Sequence, residues 1–195
     1  MSPRPSTGVR ERIVAAAQQS FHEGGYHGTS LDEILDRAAA KKGGLYHRFP
    51  DKAHLAEAVV DERLRTLVRA RWASAEGHDD PLTYLRAAVT SMHPEHLRRG
   101  CPVNSLAQEV SFSDPELRAR LDDLFDYWIS SIAAGLQAGI ENGTVRADVD
   151  PVRAATYYLA VWEGFVALAK TKPEGLAFVN RSIGPLVEWL DSLRP

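Results

Sequence analysis

Residues 28–52 read GTSLDEILDRAAAKKGGLYHRFPDK. Ser30 followed three residues later by Glu33 makes a capping-box pair, and Leu31, Ile34 and Leu35 supply an apolar face at helical spacing. A helix is therefore expected over about residues 30–38. Ala38, Ala39 and Ala40 come next, where the chain must turn. A second short segment, about residues 41–48, opens with Lys41 and Lys42 and stops before Pro50, because proline disfavours helix in the residue preceding it. Two short helices around a tight turn, the second one cationic, are the outline of a helix-turn-helix.

The flanks extend the pattern. Residues 1–6 read as an arm carrying Arg4. Residues 7–23 read as a helix that turns Ile13, Ala16, Ala17, Ser20 and Phe21 inward and ends at Gly24-Gly25. Arg10 and Arg12 fall on its outer face, either solvated or touching phosphate. Downstream, a long helix is expected from Asp51 to about Glu76, ended by Gly77. Leu55, Val59, Leu64, Leu67, Val68 and Trp72 keep helical spacing along it.

With the upstream helix RERIVAAAQQSFHEGGYHGTS and the run Leu45-Tyr46-x-x-Phe49-Pro50-x-Lys52 in this order, the first fifty-odd residues resemble the DNA-binding domain of TetR-family transcriptional repressors. The resemblance implies that the segment at 41–48 lies in the major groove, with Leu45 and Phe49 as core. Lys41 and Lys42 would read guanine or hold phosphate. Gly43 and Gly44 would let the backbone approach the groove. Tyr46 and Lys52 would contact phosphate, and His47 would lie against the backbone or a base edge. Thr29 would add a phosphate contact at the start of the preceding helix, whose unpaired N–H groups favour anions. Three positions depart from the family pattern. Ala39 stands where a glycine usually makes the turn, Lys41 replaces a Ser/Thr cap, and Gly44 replaces a small hydroxyl or methyl residue. Two adjacent glycines cost about 1 kcal/mol each inside a helix, so the recognition helix is expected to be loosely held without DNA.

Bulk properties narrow the class. A chain of 195 residues can hold one sizeable core or a small domain fused to a larger one. No stretch approaches the roughly 18 consecutive apolar residues of a membrane helix, and the N-terminus lacks the apolar segment of a signal peptide, so a cytoplasmic protein without membrane partners is expected. One cysteine excludes an intrachain disulfide. Residues 1–55 carry eight Lys/Arg against six Asp/Glu, while the remainder carries fifteen against twenty. A basic head on an acidic body fits DNA contact at one end and argues against a protein that coats DNA without regard to sequence.

The expected domains are 1–50, the DNA-binding head, and 51–195, an effector-binding and dimerisation body. Body helices are expected at 81–92, 103–111, from the cap Ser113-Asp114-Pro115-Glu116 to Asn142, at 152–170, and at 174–193 with a kink at Gly184-Pro185. The whole reads as all-α, about nine helices, with no strand pattern. The last two helices carry the stripes Tyr158, Val161, Gly164, Phe165, Leu168 and Val179, Ile183, Leu186, Val187, Leu190. The resemblance implies a four-helix homodimer interface there; deep monomer core is the other reading of a helix apolar nearly all round.

The resemblance also implies a small-molecule chamber among the body helices. Candidate lining residues are Trp72, Tyr84, Asn104 and Phe112, then Phe125, Trp128, Tyr157 and Trp162, a set suited to a flat or hydrophobic effector. Cys101 lies near His93, His96, Arg98 and Arg99 at a helix start, which favours thiolate and reactivity; a buried small hydrophobe is the plainer reading. No cofactor or metal is expected, since no carboxylate or Cys-x-x-Cys spacing accompanies these residues. A helical enzyme using Cys101 with His93 or His96 would lack any oxyanion device. The expected function is a ligand-responsive homodimeric repressor of a palindromic DNA operator, released by an effector or, alternatively, by modification of Cys101.

Overall fold

The computed structural model describes the chain from Gly8 onward except Gly77 and Met92, and the side chains except those of residues 73–76, 95 and 96. The arm at 1–6 with Arg4, the helix start at Thr7, the stop at Gly77 and the side chain of His96 lie outside the described residues. All regular structure among the described residues is helical, in agreement with the expected fold class. It falls into two compact units. One runs up to Thr66 and includes Ser105–Asp122; the other comprises Leu67–Asn104 and Asp123–Pro195. The boundary expected at residue 50 therefore lies inside the first unit.

In the first unit, α1 (Val9–Gly24), α2 (Leu31–Arg37) and α3 (Lys42–Tyr46) pack on one another, and α1 packs on α4 (Lys52–Ala58). Ile13, Ala17, Phe21, Ile34, Leu35, Leu45, Phe49 and Leu55 are all buried, each large side chain contributing about 1.5–3 kcal/mol of burial. Ser30 caps α2 by accepting the Glu33 N–H at 3.1 Å, and Asp51 caps α4 by accepting the His54 N–H at 2.9 Å. Gly28 permits a close approach: a Cβ there would stand 2.5 Å from the Gly24 carbonyl oxygen.

The long helix expected after Asp51 is not uniform. Beyond α4 it widens into a π-helical segment, Val59–Leu64, before resuming as α5 (Arg65–Glu76). Val59, Val60 and Leu64 are all buried, and the extra residue in the turn is what brings both valines inward. Polar fastenings surround it: Arg10 pairs with Glu62 at 2.6 Å, Arg63 donates to Gln18 at 3.0 Å, and Arg120 pairs with Asp61 at 2.6 Å.

The second unit contains α6 (Pro81–Thr90), α7 (Pro94–Arg99), α10 (Pro151–Lys170), α11 (Gly175–Ser182) and α12 (Gly184–Asp191). The units divide α8 (Pro102–Val110) and α9 (Pro115–Glu141) between them. Asp114 caps α9 through the Glu116 and Leu117 N–H groups, and Asp150 caps α10 through those of Val152 and Arg153, each ahead of a proline that needs no donor. Gly184-Pro185 splits the final helix into α11 and α12, as its chemistry predicts. α7 falls in the interval between the helices expected at 81–92 and 103–111.

Candidate functional site

The candidate DNA-reading surface is built by α3 and the turn before it. Ala38 ends α2, and Ala39 makes the turn at φ 48°, a left-handed conformation. That conformation costs an L-residue about 1–2 kcal/mol, which is why glycine is the usual occupant. Lys41 then stands at the N-cap in extended conformation with no side-chain cap bond, as a side chain without an acceptor must. Buried Leu45 and Phe49 anchor the segment from behind. Lys41, Lys42, Gly43, Tyr46 and His47 are left exposed together, with Tyr46 at 55%. A Cβ on Gly43 would meet nothing within 4 Å, so this turn presents bare backbone; at Gly44 it would rest 3.7 Å from Val9.

The cations here are held lightly. Lys42 pairs with Asp32 of α2 at 2.9 Å, both side chains well exposed, and this hydrogen bond raises the lysine pKa. Such a pair yields readily to a competing phosphate. Lys52 lies with its Nζ 4.6 Å from the Tyr26 ring centroid. Partial burial lowers its pKa, and Glu109 opposes that shift. Arg10 is engaged by Glu62 and lies over the Phe49 ring at 5.3 Å, and Arg12 donates to the Ala38 carbonyl at 3.3 Å.

Thr29 requires a correction. Its side chain is buried, and its hydroxyl donates to the carbonyls of Gly25 at 2.7 Å and Ser20 at 3.1 Å. It pins the α1–α2 turn from inside rather than facing phosphate.

A second candidate site lies wholly within the second unit. Trp72 is buried at the centre of an aromatic cluster. Trp128, Tyr158 and Tyr84 stand at ring-centroid distances of 5.7, 5.9 and 6.2 Å, and Phe125 stacks on Trp128 at 6.3 Å. The Tyr84 hydroxyl donates to the Arg71 carbonyl and the Tyr158 hydroxyl to the Leu85 carbonyl at 3.0 Å. Glu163, on the same helix as Tyr158, is hydrogen-bonded to Cys101 and Asn104. Burial raises the Glu163 pKa, against those bonds and the charge of Arg71. Burial and then the adjacent Glu163 push the Cys101 thiol upward, the reverse of the shift expected from nearby cations.

A family model described as bacterial regulatory proteins, tetR family, matches residues 13–59, and one described as tetracyclin repressor-like, C-terminal domain, matches residues 82–179. Transcriptional regulator AcuR of Cereibacter sphaeroides is 30% identical over 183 residues, 90% of this chain and 84% of that protein. The chain belongs to the TetR family of transcriptional regulators. HTH-type transcriptional repressor NemR of Escherichia coli K12 is 26% identical over 187 residues, 91% of this chain and 88% of that protein. A TetR transcriptional regulator from Chloroflexus aurantiacus superposes with a TM-score of 0.81 at 30% identity, covering 95% of this chain and 96% of that one.

For this TetR-family regulator the structure sorts the remaining expected residues. Trp72, Tyr84, Phe125 and Trp128 come together as rings in the second unit, Asn104 and Cys101 meet at Glu163 in the same unit, and Trp162 is buried there. Two candidate chamber residues do not join them. Phe112 is fully exposed, and Tyr157 is half exposed with its ring against Trp189 at 4.7 Å. The dimer stripe also divides. Tyr158, Val179, Ile183, Leu186 and Leu190 are buried within the protomer and are core, whereas Gly164 and Leu168 are exposed and Val161, Phe165 and Val187 partly so. Two residues of the site were not among those expected: Arg71, whose guanidinium lies 5.7 Å from the Trp72 ring centroid, and Glu163, the partner of Cys101 and Asn104. Glu163 had a signal: it is the lone acid within the apolar run YYLAVWEGFVALA.

Proposed function

We propose that this regulator is a homodimeric repressor that binds a palindromic operator through two copies of α3 and is released by a small effector held in the second unit. The observation that carries the reading is the α3 surface: Lys41, Lys42, Tyr46 and His47 exposed side by side over a bare Gly43, backed by buried Leu45 and Phe49. Cationic and hydrogen-bonding groups grouped around an open backbone suit a groove, with phosphate contacts giving affinity and the start of the helix reading bases. Dimerisation is supported by the free face of α10, where Ala160, Gly164 and Leu168 are exposed and a side chain on Gly164 would meet nothing of its own protomer. Two heads would then read half-sites about 34 Å apart or a multiple of that.

The test is binding to genomic fragments, including DNA beside the protein's own gene, at near-physiological salt. Wild type is expected to select one or a few fragments, and a Lys42→Ala, Tyr46→Ala double variant to lose them. Gly164→Arg is expected to sediment as a monomer and to lose the same fragments. Equal weak binding to every fragment would reject the operator reading. An effector that leaves operator affinity unchanged at saturation would reject the coupling.

A further inference from the structure

Four buried side-chain polar atoms among the described residues have no hydrogen-bond partner, and three lie in the second unit: Trp72 Nε1, Trp128 Nε1 and one carboxyl oxygen of Glu163, Oε2. All three side chains are more than nine-tenths buried. The two indoles belong to one cluster, and Glu163 is joined to it through α10, which also carries Tyr158, and through Arg71, the neighbour of Trp72 in the chain. The indole rings of Trp72 and Trp128 are 5.7 Å apart, Tyr158 packs on Trp72 at 5.9 Å, and Arg71 acts electrostatically on both Tyr158 and Glu163.

Leaving a buried polar group unsatisfied costs about 1–3 kcal/mol, so three together mark a place where an outside molecule completes the bonding. The groups also say what kind. An indole N–H only donates, so two of them ask for an acceptor such as a carbonyl oxygen. A carboxyl oxygen accepts whether its acid is neutral or ionised, so Glu163 asks for an N–H or O–H donor. The aromatic walls ask for a flat apolar body. Charge argues for neutrality. A cation offers nothing to the indole donors, while an anion brings no donor for the Glu163 oxygen and is repelled by that carboxyl whenever it is ionised.

We propose that Trp72, Trp128 and Glu163 form the polar recognition set of the effector site and select an uncharged, planar molecule carrying a carbonyl acceptor and an N–H or O–H donor, of the carboxamide or phenolic-carbonyl class. This deepens the effector reading above and rests on it.

Benzamide, benzoate and benzylammonium share a ring and differ in charge at the polar end, so they test the class on the full-length protein. Calorimetry and tryptophan quenching are expected to show benzamide binding saturably at one per chain, at least about tenfold tighter than either ion. Trp128→Phe keeps the ring and deletes the donor, and should weaken benzamide about five- to tenfold, the loss of one good hydrogen bond. Glu163→Met should do the same, with melting curves confirming that each variant folds; if one does not fold, the other decides. Benzoate or benzylammonium binding as tightly as benzamide, no saturable benzamide binding, or folded variants that bind benzamide unchanged would each overturn the assignment. Operator binding is followed in parallel. Benzamide that occupies the site without releasing DNA supports the recognition set and rejects the repressor-release reading alone.

Discussion

Glu109 holds the turn beside Tyr26: its carboxylate accepts the Tyr26 backbone N–H at 2.9 Å and that of His27 at 3.0 Å. The turn joins α1 to α2, and the Tyr26 ring lies under the Lys52 ammonium and edge-on to Phe21 at 5.3 Å. One carboxylate thus positions the loop that sets α2, and with it the surface α3 rests on. Hydrogen bonds to a charged group contribute about 1.5–3 kcal/mol each when well shielded. His27 is exposed and Tyr26 only partly covered, so the pair is discounted to about 1–2 kcal/mol in total. Glu109→Ala is expected to lower urea stability by that amount and to weaken operator binding. An unchanged denaturation midpoint would show that the turn holds without the clamp.

Ala39 carries strain that a single substitution can relieve. At φ 48° it occupies the left-handed region on an exposed turn. Glycine removes about 1–2 kcal/mol of strain, but the freer unfolded chain returns about 0.4–1 kcal/mol of it. Ala39→Gly should therefore stabilise the protein by up to about 1 kcal/mol. Chemical denaturation checks this, and a clear loss of stability would mean that the turn is not left-handed in solution.

What the sequence could and could not disclose follows from periodicity. Long amphipathic stretches such as α9 and α10, and caps such as Asp114-Pro115 and Asp150-Pro151, carry local chemistry that needs no tertiary information. The six residues of α7 between a proline and Gly100 are too few to show a period. The π-helical turn is one residue wider than an α-turn, and nothing in VVDERL announces it. A helix apolar nearly all round, such as α10, does not say which face meets its own protomer; hence Tyr158 proved to be core while Leu168 stayed outside. Thr29 was misplaced for a related reason. A threonine beside a helix start can cap, pin a loop from within or meet phosphate, and only the position of the Ser20 and Gly25 carbonyls decides.

Glu163 should make stability depend on pH in the direction opposite to an ordinary ion-paired acid. Burial raises its pKa in the folded state above the ordinary carboxylate value of about 4.3. Between those two values the native protein holds more protons than the unfolded chain, so stability falls as pH rises through the folded pKa. The contribution is fully present only below the ordinary value. Glu163→Gln keeps the shape and an acceptor for Cys101 while removing the titration. Melting temperatures measured from pH 5 to pH 8 should fall for wild type relative to the variant. A gap that stays constant, or that opens the other way, would place an ionised Glu163 in the folded protein at low pH.

The same contact bears on which of two triggers the proposed repressor uses. A cysteine that senses electrophiles must supply thiolate near neutral pH. Cys101 is driven the other way, because burial and then the neighbouring Glu163 raise its pKa. Its thiol is hydrogen-bonded to that carboxyl. Since Cys101 is the only cysteine in the chain, labelling reports on it alone. At pH 7.5 its reaction with a maleimide or a disulfide reagent should be at least about tenfold slower than that of a small free thiol with an ordinary pKa near 8.5. Glu163→Gln should quicken the reaction by removing the acid that opposes ionisation. Labelling of the wild type at the free-thiol rate would instead support release of DNA by modification of Cys101, and would move the trigger from a reversibly bound effector to covalent chemistry at this residue.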